Sequence, residues 1–204
     1  MIGLLALTGF HGLTMMPFWP QWMAQLGRLI GDSGQLLTSF TIGLLACMAV
    51  VAGLYSLSIV VTRWLTRTAL DFKRCFATLA FATLPLAFTY HLAHNLNHLV
   101  RESGGWLQVV GNPLGLNALP LSMAEKHLRH QQIWLSAEWL HTLQAGLMVA
   151  GFWMAMNIIR QRGQTLTVTE QSLTPLQLLP IIGFTLAMTG FHLWMLMQPM
   201  LMRM

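Results

Sequence analysis

The stretch TYHLAHNLNHLV, residues 89–100, places three histidines and two asparagines among side chains that are otherwise mostly apolar. On a helix that turns about 100° per residue, His91, His94 and His98 fall within about 80° of one another, with Asn95 between them. This spacing predicts one polar stripe, about 10 Å long, on one face of a helix. Imidazoles in such a stripe can ligate a metal ion or a heme iron, or take up a proton from a quinol.

Three more histidines are expected at a similar level of the fold. Counted from the ends of the spans predicted below, His11, His141 and His192 each lie about eight or nine residues from the membrane face nearest to His91. We therefore predict one convergent cofactor-binding site, formed by His91, His94, His98, His141, His11 and His192. The alternative is a set of interhelical hydrogen bonds, in which the histidines and asparagines only hold the helices together.

The segment SAEWLH adds a carboxylate, since it places Glu138 and His141 three residues apart on one helix face. In di-iron helical bundles, Glu-x-x-His lets one helix give a carboxylate and an imidazole to the same metal pair. Together with His91 and His94, this pair completes the predicted metal-ligand set. Gln144, about one turn further on, is expected to orient a ligand through a hydrogen bond.

Further donors flank this set in the sequence. His127 and His130 in HLRHQQ are expected either to cap the site or to belong to a solvated interfacial helix. The chain has 15 methionines, whose soft thioethers suit Cu(I) but which also serve as ordinary apolar fillers. The methionines expected near the outer face are Met15, Met16, Met195, Met197, Met200, Met202 and Met204.

Composition identifies the setting of these residues, because 55% of the chain is hydrophobic and only 8% is charged, against roughly 25% charged in soluble domains. We predict an all-α integral membrane bundle, a single domain over residues 1–204 in contact with membrane lipid. About 20 apolar residues cross the hydrocarbon layer. Five predicted transmembrane helices meet this length, near 2–20, 36–62, 76–100, 133–159 and 175–199, with an outer loop at 101–132.

Positive charge predicts the orientation, because short loops rich in Lys and Arg stay on the cytoplasmic side. The basic residues after the second and fourth spans are Arg63, Arg67, Lys73, Arg74, Arg160 and Arg162. The N-terminus is therefore predicted to be cytoplasmic, and the C-terminus and the 101–132 loop periplasmic. The net charge of +5 reflects this topology, and the sequence has no patch typical of a nucleic-acid-binding protein.

Particular residues inside the spans predict how they pack. The first span has no basic region before it and carries Trp19 and Trp22 where an interfacial aromatic belt is expected, so we expect it to be retained rather than cleaved. Pro85 and Pro180 are expected to bend or loosen their helices, or to be ordinary packing kinks. Cys47 and Cys75 lack the spacing of a metal or iron–sulfur motif and are expected to be small apolar residues.

The tetrapeptide TGFH occurs twice, at residues 8–11 and at 189–192. A glycine permits close helix packing. We therefore expect Gly9 and Gly190 to bring two parallel helices together, with His11 and His192 at the same depth.

The segments TGFHGLTMMPFW, YHLAHNLNHLV, LQAGLMVAGFWMAMNI and HLWMLMQPMLMRM, in this order, resemble the membrane part of bacterial polyferredoxin-type electron-transfer proteins. Those proteins are similar to the quinol dehydrogenase membrane component of periplasmic nitrate reductase. The YHxAHN core and the NPLG turn after it carry the resemblance, whereas the Cys-rich iron–sulfur motifs of the family are absent from this sequence. The resemblance implies a redox subunit of the bacterial inner membrane, with His91 and His94 at its site and any clusters on another chain.

The first functional hypothesis is therefore a redox subunit that exchanges electrons with a partner protein at the outer face. Its cofactor is heme b, a transition metal or a quinol. A bis-histidine heme would pair His91 or His94 with an imidazole of another helix, namely His141, His11 or His192. A quinol site would instead use Glu138 and His141 to accept a proton.

Three other functions fit the same residues. A protein for copper or iron binding, transport or delivery would use the histidine stripe and the methionines, although few ligands occur in the inner half of the spans. A histidine-box membrane metalloenzyme would activate oxygen or water at two metals. In a scaffold subunit, the histidines would only join helices.

Overall fold

The computed structural model describes residues 1–102, 106–118, 120, 122–125, 135–166 and 174–198. Its named helices, in chain order, are α1 (Ile2–Thr14), α2 (Trp19–Ile30), α3 (Leu37–Thr66), α4 (Phe72–Ala80), α5 (Thr83–Glu102), α6 (Trp106–Gly111), α7 (Ala137–Gln164) and α8 (Leu179–Leu196). No strand occurs among the described residues. The predicted all-α class is therefore confirmed.

Within the described residues, four helical segments are long and apolar enough to cross a membrane, and they correspond to α3, α4 with α5, α7, and α8. α1 and α2 provide a fifth only if they are taken as one broken span, since they are bent by 97°. Four to five such segments fit a multi-pass membrane protein. Each of the predicted spans from the second to the fifth overlaps one of these segments.

The first predicted span, 2–20, needs correction because it runs across the bend between α1 and α2. Pro17 cannot donate a hydrogen bond to the Leu13 carbonyl, so α1 ends at Thr14. The Met16 N–H donates to that carbonyl instead, at 3.0 Å, in a tighter turn. Pro20 then stands in the first turn of α2, where a missing N–H costs nothing.

Contacts between the helices establish their relative directions. A Cβ on Gly9 of α1 would lie 3.7 Å from His192 of α8, and one on Gly12 would lie 2.9 Å from Met195, so these two helices run in the same direction. α7 runs opposite to α5, since its Gln144 bonds to Ala93 while its later Gly151 meets the earlier Thr89. The C-terminal halves of α1, α5 and α8 thus meet at one end of the bundle, called the histidine end below.

The opposite end of the bundle, called the basic end, lies where α3 and α7 finish and α4 begins. The Thr68 hydroxyl after α3 donates to the Leu166 carbonyl after α7 at 2.6 Å, which ties these two helix ends together. Arg162 lies 4.7 Å above the Phe81 ring, at the break between α4 and α5. The arginines and the lysine that predicted the orientation are therefore collected at one end and separated from the histidines.

The two prolines expected to bend helices behave differently. Pro85 lacks the N–H that the Phe81 carbonyl would accept in a continuous helix, and α4 and α5 are separated at Phe81 and Ala82. The Leu84 N–H serves the Phe81 carbonyl instead, at 3.2 Å. Pro180 lies in the first turn of α8, where proline is compatible with the helix, so the bend expected there does not occur.

α5 and α7 approach most closely where Gly151 faces α5. The Thr89 hydroxyl, which donates to the Pro85 carbonyl at 2.8 Å, occupies the space that a side chain at position 151 would need. About one turn further along α5, the Gln144 amide donates to the Ala93 carbonyl at 2.8 Å. Gln144 is buried, so this hydrogen bond clamps the two helices just beside His94.

α2 packs one face on α3 and turns the other outward. Trp19, Met23 and Gly27 are buried, while Gln21 and Arg28 are exposed on the far side. The Trp19 ring lies against Phe10, with ring centroids 5.4 Å apart. Trp19 is therefore an interior residue and not part of the expected aromatic belt, because the bend turns it toward the bundle.

The turn from α2 to α3 is fixed by one carboxylate. Leu36, which precedes α3, offers no side-chain cap. Asp32 takes that role, because its Oδ2 accepts from the Ser39 N–H at 2.7 Å and from the Ser39 hydroxyl at 2.8 Å, and its Oδ1 accepts from the Ser33 N–H. Hydrogen bonds from the Ser39 backbone first, and then from the Ser39 hydroxyl, lower the pKa of the Asp32 carboxyl below its ordinary value.

We expect Asp32→Ala to destabilise the protein near neutral pH, with a difference from wild type that shrinks below about pH 4. Because the folded-state pKa is lowered, the carboxylate stabilises the fold above the unfolded-state pKa and stops doing so as the pH falls through the folded-state value. Thermal unfolding in detergent at about pH 7 and about pH 3 measures this difference. Asp32→Asn keeps an acceptor oxygen without the charge and should show a smaller loss. An equal loss for Asp32→Ala at both pH values contradicts this role.

Candidate functional site

Five histidines from three helices lie together at the histidine end. His11 comes from α1, His91, His94 and His98 from α5, and His192 from α8. The ring centroids of His11 and His94 are 4.6 Å apart, and those of His94 and His98 are 6.2 Å apart. His91 and His98 are close enough to His11 for their charges to interact with it. His94 is likewise close enough to interact with His192. These five side chains are called the histidine cluster below.

His192 is the most buried member of the cluster, with 4% of its surface exposed. Its Nδ1 lies 2.8 Å from the Met188 carbonyl oxygen, one turn earlier on α8. A carbonyl only accepts, so this bond assigns the ring proton to Nδ1 and leaves a lone pair on Nε2. The ring stacks on Tyr90 of α5, with centroids 4.1 Å apart. The orientation of the imidazole is thereby fixed by two different helices.

The Nε2 atoms of His94 and His192 are both buried and have no hydrogen-bond partner among the described residues. Leaving a buried polar atom unpaired costs about 1–3 kcal/mol, so such atoms are rare without a reason. A bound ligand is one such reason, and a nitrogen lone pair is what a metal ion requires. These two atoms are therefore the strongest chemical feature of the cluster.

Gly9 leaves room in front of His192. A Cβ built on Gly9 would lie 3.7 Å from both Cε1 and Nε2 of His192. This is ordinary contact distance, so the glycine leaves a space about the size of a methyl group beside the unpaired nitrogen. A small ligand such as an ion would therefore meet no side chain of α1 at this position.

The two copies of the TGFH tetrapeptide do not turn the same residues toward the interior of the bundle. In α1, Gly9 faces the bundle and His11 is exposed, whereas in α8, Gly190 is exposed with nothing near it and His192 is buried. The expectation that both glycines support close packing is therefore wrong for Gly190. The two helices do run in the same direction, as expected, but α1 supplies the glycine and α8 supplies the imidazole.

The other members of the cluster are more accessible. His11, His91 and His98 are exposed. The Asn95 amide lies 3.2 Å from Nε2 of His91 and donates to the His91 carbonyl at 2.8 Å. The His91 nitrogen therefore has a partner on its own helix, unlike those of His94 and His192.

Glu138 and His141 lie in the first two turns of α7. Both side chains are exposed. His141 is less than one turn from Gln144, which contacts Ala93, so its level along the bundle agrees with that of the α5 histidines. Within the described part of the chain, no hydrogen bond or ring contact joins either residue to the cluster. The structure thus brings together His11, His91, His94, His98 and His192 but leaves Glu138 and His141 apart.

Gln144, predicted to orient a ligand, donates its amide N–H to the Ala93 backbone carbonyl. His127 and His130, expected to cap the site, lie outside the described residues, as do Met200, Met202 and Met204. Met16 and Met195 are buried at the histidine end, where they pack with Trp19 and Met23.

The arrangement of the imidazoles limits which of the predicted cofactors can bind between them. Across the residues that the structure describes, no three side chains of His, Cys, Asp or Glu already lie in an arrangement for one metal ion. Two axial imidazoles of a heme lie on opposite sides of the ring, with centroids about 6 Å apart if each iron–nitrogen bond is about 2 Å long. The rings of His11 and His94 are in contact at 4.6 Å, so no porphyrin fits between this pair.

Tyr90 is the site residue that the sequence reasoning missed. Its ring supports the His192 imidazole and its hydroxyl bonds to the Thr189 hydroxyl, so it joins α5 to α8. Tyr90 lies four residues before His94, on the same helix face. That spacing was the available signal, but tyrosine in an apolar helix is usually a packing residue.

The cysteines do not contribute to this site. Cys75 is buried at the basic end. The Cys47 thiol lies 3.7 Å from the Ala6 carbonyl, to which it donates. Both therefore behave as the small helix residues that the sequence predicted.

The chain matches no protein-family model, no curated protein and no solved structure.

Proposed function

We propose that this chain is an integral membrane redox subunit whose electron carrier is a single transition-metal ion, copper or iron, held at the histidine end. His94 and His192 are the ligands, from α5 and α8, and His11 of α1 lies beside them. One observation carries the proposal, namely that both buried Nε2 atoms have no hydrogen-bond partner among the described residues.

The surrounding residues fit this use of the imidazoles. A metal-binding histidine usually donates its other ring N–H to a carbonyl or carboxylate, which fixes the tautomer and turns the lone pair toward the ion. His192 does this through the Met188 carbonyl and is held in place by Tyr90. The ion supplies one-electron chemistry, and the chain's residues supply ligands, a low-dielectric site and a fixed orientation.

The alternatives that need a larger cofactor are less well supported. The contact between His11 and His94 leaves no place for heme b between them. A histidine-box enzyme would need Glu138 and His141 at the cluster, and both are exposed elsewhere on α7. A scaffold role would have the imidazoles bond across helices. Of the described hydrogen bonds, those of His91 and His192 stay within their own helix.

An ion resident in the bundle agrees better with the structure than an ion in transit. Toward the basic end, the described helices have no histidine and no acidic residue, and offer few ligands besides Cys75, Asn157 and hydroxyl side chains. A transported ion would need successive free ligands along its path. Their scarcity in the described spans favours an ion that stays and exchanges electrons.

The orientation and the partner complete the proposal. From the positive-inside rule, we place the basic end in the cytoplasm and the histidine end toward the periplasm of a bacterial inner membrane. The exposed imidazoles of His11, His91 and His98 then face the outer side. Electrons would be exchanged there with a partner redox protein, one electron at a time and without bond formation.

The proposal is tested by metal analysis of the full chain purified in detergent. After loading with copper or iron and removal of excess ion, we expect one ion per chain in the wild type. Reversible one-electron titration of the bound ion, followed optically, tests the redox part. A Soret band in the purified protein would replace the ion by heme b, and an absence of bound metal would overturn the proposal.

Metal delivery is a second candidate function, favoured by the exposed histidines next to the buried pair. His98, His91 and His11 would pass an ion from the outer face to His94 and His192. This reading expects the bound ion to transfer readily to an external chelator of comparable affinity. An ion that resists exchange but titrates reversibly supports the redox subunit instead.

A further inference from the structure

We propose that Met195 provides the third ligand of this site through its thioether sulfur, and that the ion it selects is Cu(I). The inference rests on the proposed function, because it needs His94 and His192 to be ligands. It goes further in naming the ion and the residue that determines the choice.

Met195 is placed where such a ligand is needed. It lies three residues after His192 on the same face of α8, and 3% of its surface is exposed. Both side chains point toward α1, His192 at Gly9 and Met195 at Gly12. Residues three apart on a helix are neighbours, about 5–6 Å apart at Cβ. The thioether and the unpaired His192 nitrogen therefore face the same short part of α1.

Gly12 makes the position of the sulfur possible. A Cβ at position 12 would lie 2.9 Å from Sδ of Met195 and 3.1 Å from its terminal methyl carbon. Any larger residue would displace the thioether. α1 thus has glycine at both positions that face the donors of α8, Gly9 before the imidazole and Gly12 before the thioether.

The donor chemistry then selects the ion. The described His, Cys, Asp and Glu residues do not offer a third ligand in place, so a third ligand to an ion bound by two imidazoles has to be a donor of another kind. A thioether is a soft, uncharged ligand that favours Cu(I) over iron or zinc. Two neutral imidazoles and a thioether also leave the monovalent charge of Cu(I) in place, the smallest charge that a metal ion can bring into an apolar bundle.

The alternative is that Met195 only fills space. It packs in an apolar cluster with Met16, Trp19 and Met23, and methionine is well suited to such a role. Met195→Leu separates the two readings, since leucine has similar volume and is usually tolerated in a core, but has no sulfur. Met23→Leu is the matched control, because Met23 belongs to the same cluster and faces Gly43 of α3.

The experiment measures the affinity of the full chain in detergent for Cu(I), by competition with a chromophoric Cu(I) chelator, and for Zn²⁺. Copper X-ray absorption of the loaded protein reports sulfur among the ligands. We expect Met195→Leu to weaken Cu(I) binding by about tenfold or more and to remove the sulfur signal, while Zn²⁺ binding changes little. Met23→Leu should match the wild type in both. Gly12→Ala should act like Met195→Leu, with every donor still present.

The outcomes separate this inference from the function on which it rests. If Met195→Leu binds Cu(I) as tightly as the wild type, or the wild type shows no sulfur ligand, Met195 is a packing residue and the inference is wrong while the histidine site remains. If the loaded wild type holds neither copper nor iron, the proposed function itself fails.

Discussion

Replacing His192 with alanine should abolish stoichiometric metal binding, with a loss of affinity of more than about 100-fold. The side chain removed carries a buried lone pair that has no other partner within the described residues, and its ring is held by Tyr90 and the Met188 carbonyl. His94→Ala should have an effect of the same order. Elemental analysis of the loaded, detergent-purified variants measures both losses.

Two controls distinguish loss of a ligand from loss of structure. His192→Phe keeps an aromatic ring to stack on Tyr90 but has no nitrogen, so it should fold well and still bind no metal. His141→Ala removes an exposed imidazole at a similar level of the bundle and should bind like the wild type. If His192→Phe retains one ion per chain, or His141→Ala loses it, the assignment of His192 as a ligand fails.

Replacing Gly151 with alanine should destabilise the bundle by about 1–3 kcal/mol, and valine at this position should prevent normal assembly. The added Cβ would overlap the Thr89 hydroxyl and lie 3.2 Å from the Pro85 carbonyl oxygen, which is backbone and cannot turn away. Thr89 cannot simply rotate without giving up its hydrogen bond to that same carbonyl. Denaturant titration in detergent, followed by far-ultraviolet circular dichroism, measures the change.

Gly146→Ala is the matched control for that substitution. Gly146 lies on the same helix with nothing within 4 Å of its added Cβ, so alanine there should be neutral or slightly stabilising through its higher helix propensity. If Gly151→Ala and Gly146→Ala prove equally stable, the close approach of α5 and α7 is not what the contacts describe. Gly151→Ala should also weaken metal binding, since it separates α7 from α5, the helix that carries His94. Gly146→Ala should leave metal binding unchanged.

The sequence predicts well which residues form the long apolar helices. Apolar length locates a span because the rise per residue is constant, and the predicted spans 36–62 and 175–199 overlap α3 and α8 closely. The bend after Thr14 was missed, because the residues around Pro17 are as apolar as their neighbours. The hydrophobicity of a segment indicates that it lies in the bilayer. It does not indicate whether the helix axis continues straight or bends there.

The sequence predicts less well whether a side chain points into the bundle or to its surface. That direction depends on which neighbouring helix packs closest to the residue. His141 reaches the expected level but is exposed, since α7 turns Gln144 and Gly151 toward α5. His91, expected to be a ligand, is exposed and bonded to Asn95, whereas His94 on the same stripe is half-buried. Spacing alone gives both histidines nearly the same direction, and only the contacts with α1 and α8 separate them.

The short length of α1 has a consequence for the bilayer around the site. Its 13 residues span roughly 20 Å, less than the roughly 30 Å of hydrocarbon in a typical membrane. If α1 and the bent α2 together form one broken span, the lipid beside the short α1 is expected to thin to match its length. We therefore expect a shallow depression in the leaflet next to the end of α1, where His11 is exposed. Bulk water would reach the histidines there, and a hydrated ion would arrive without crossing the full lipid barrier.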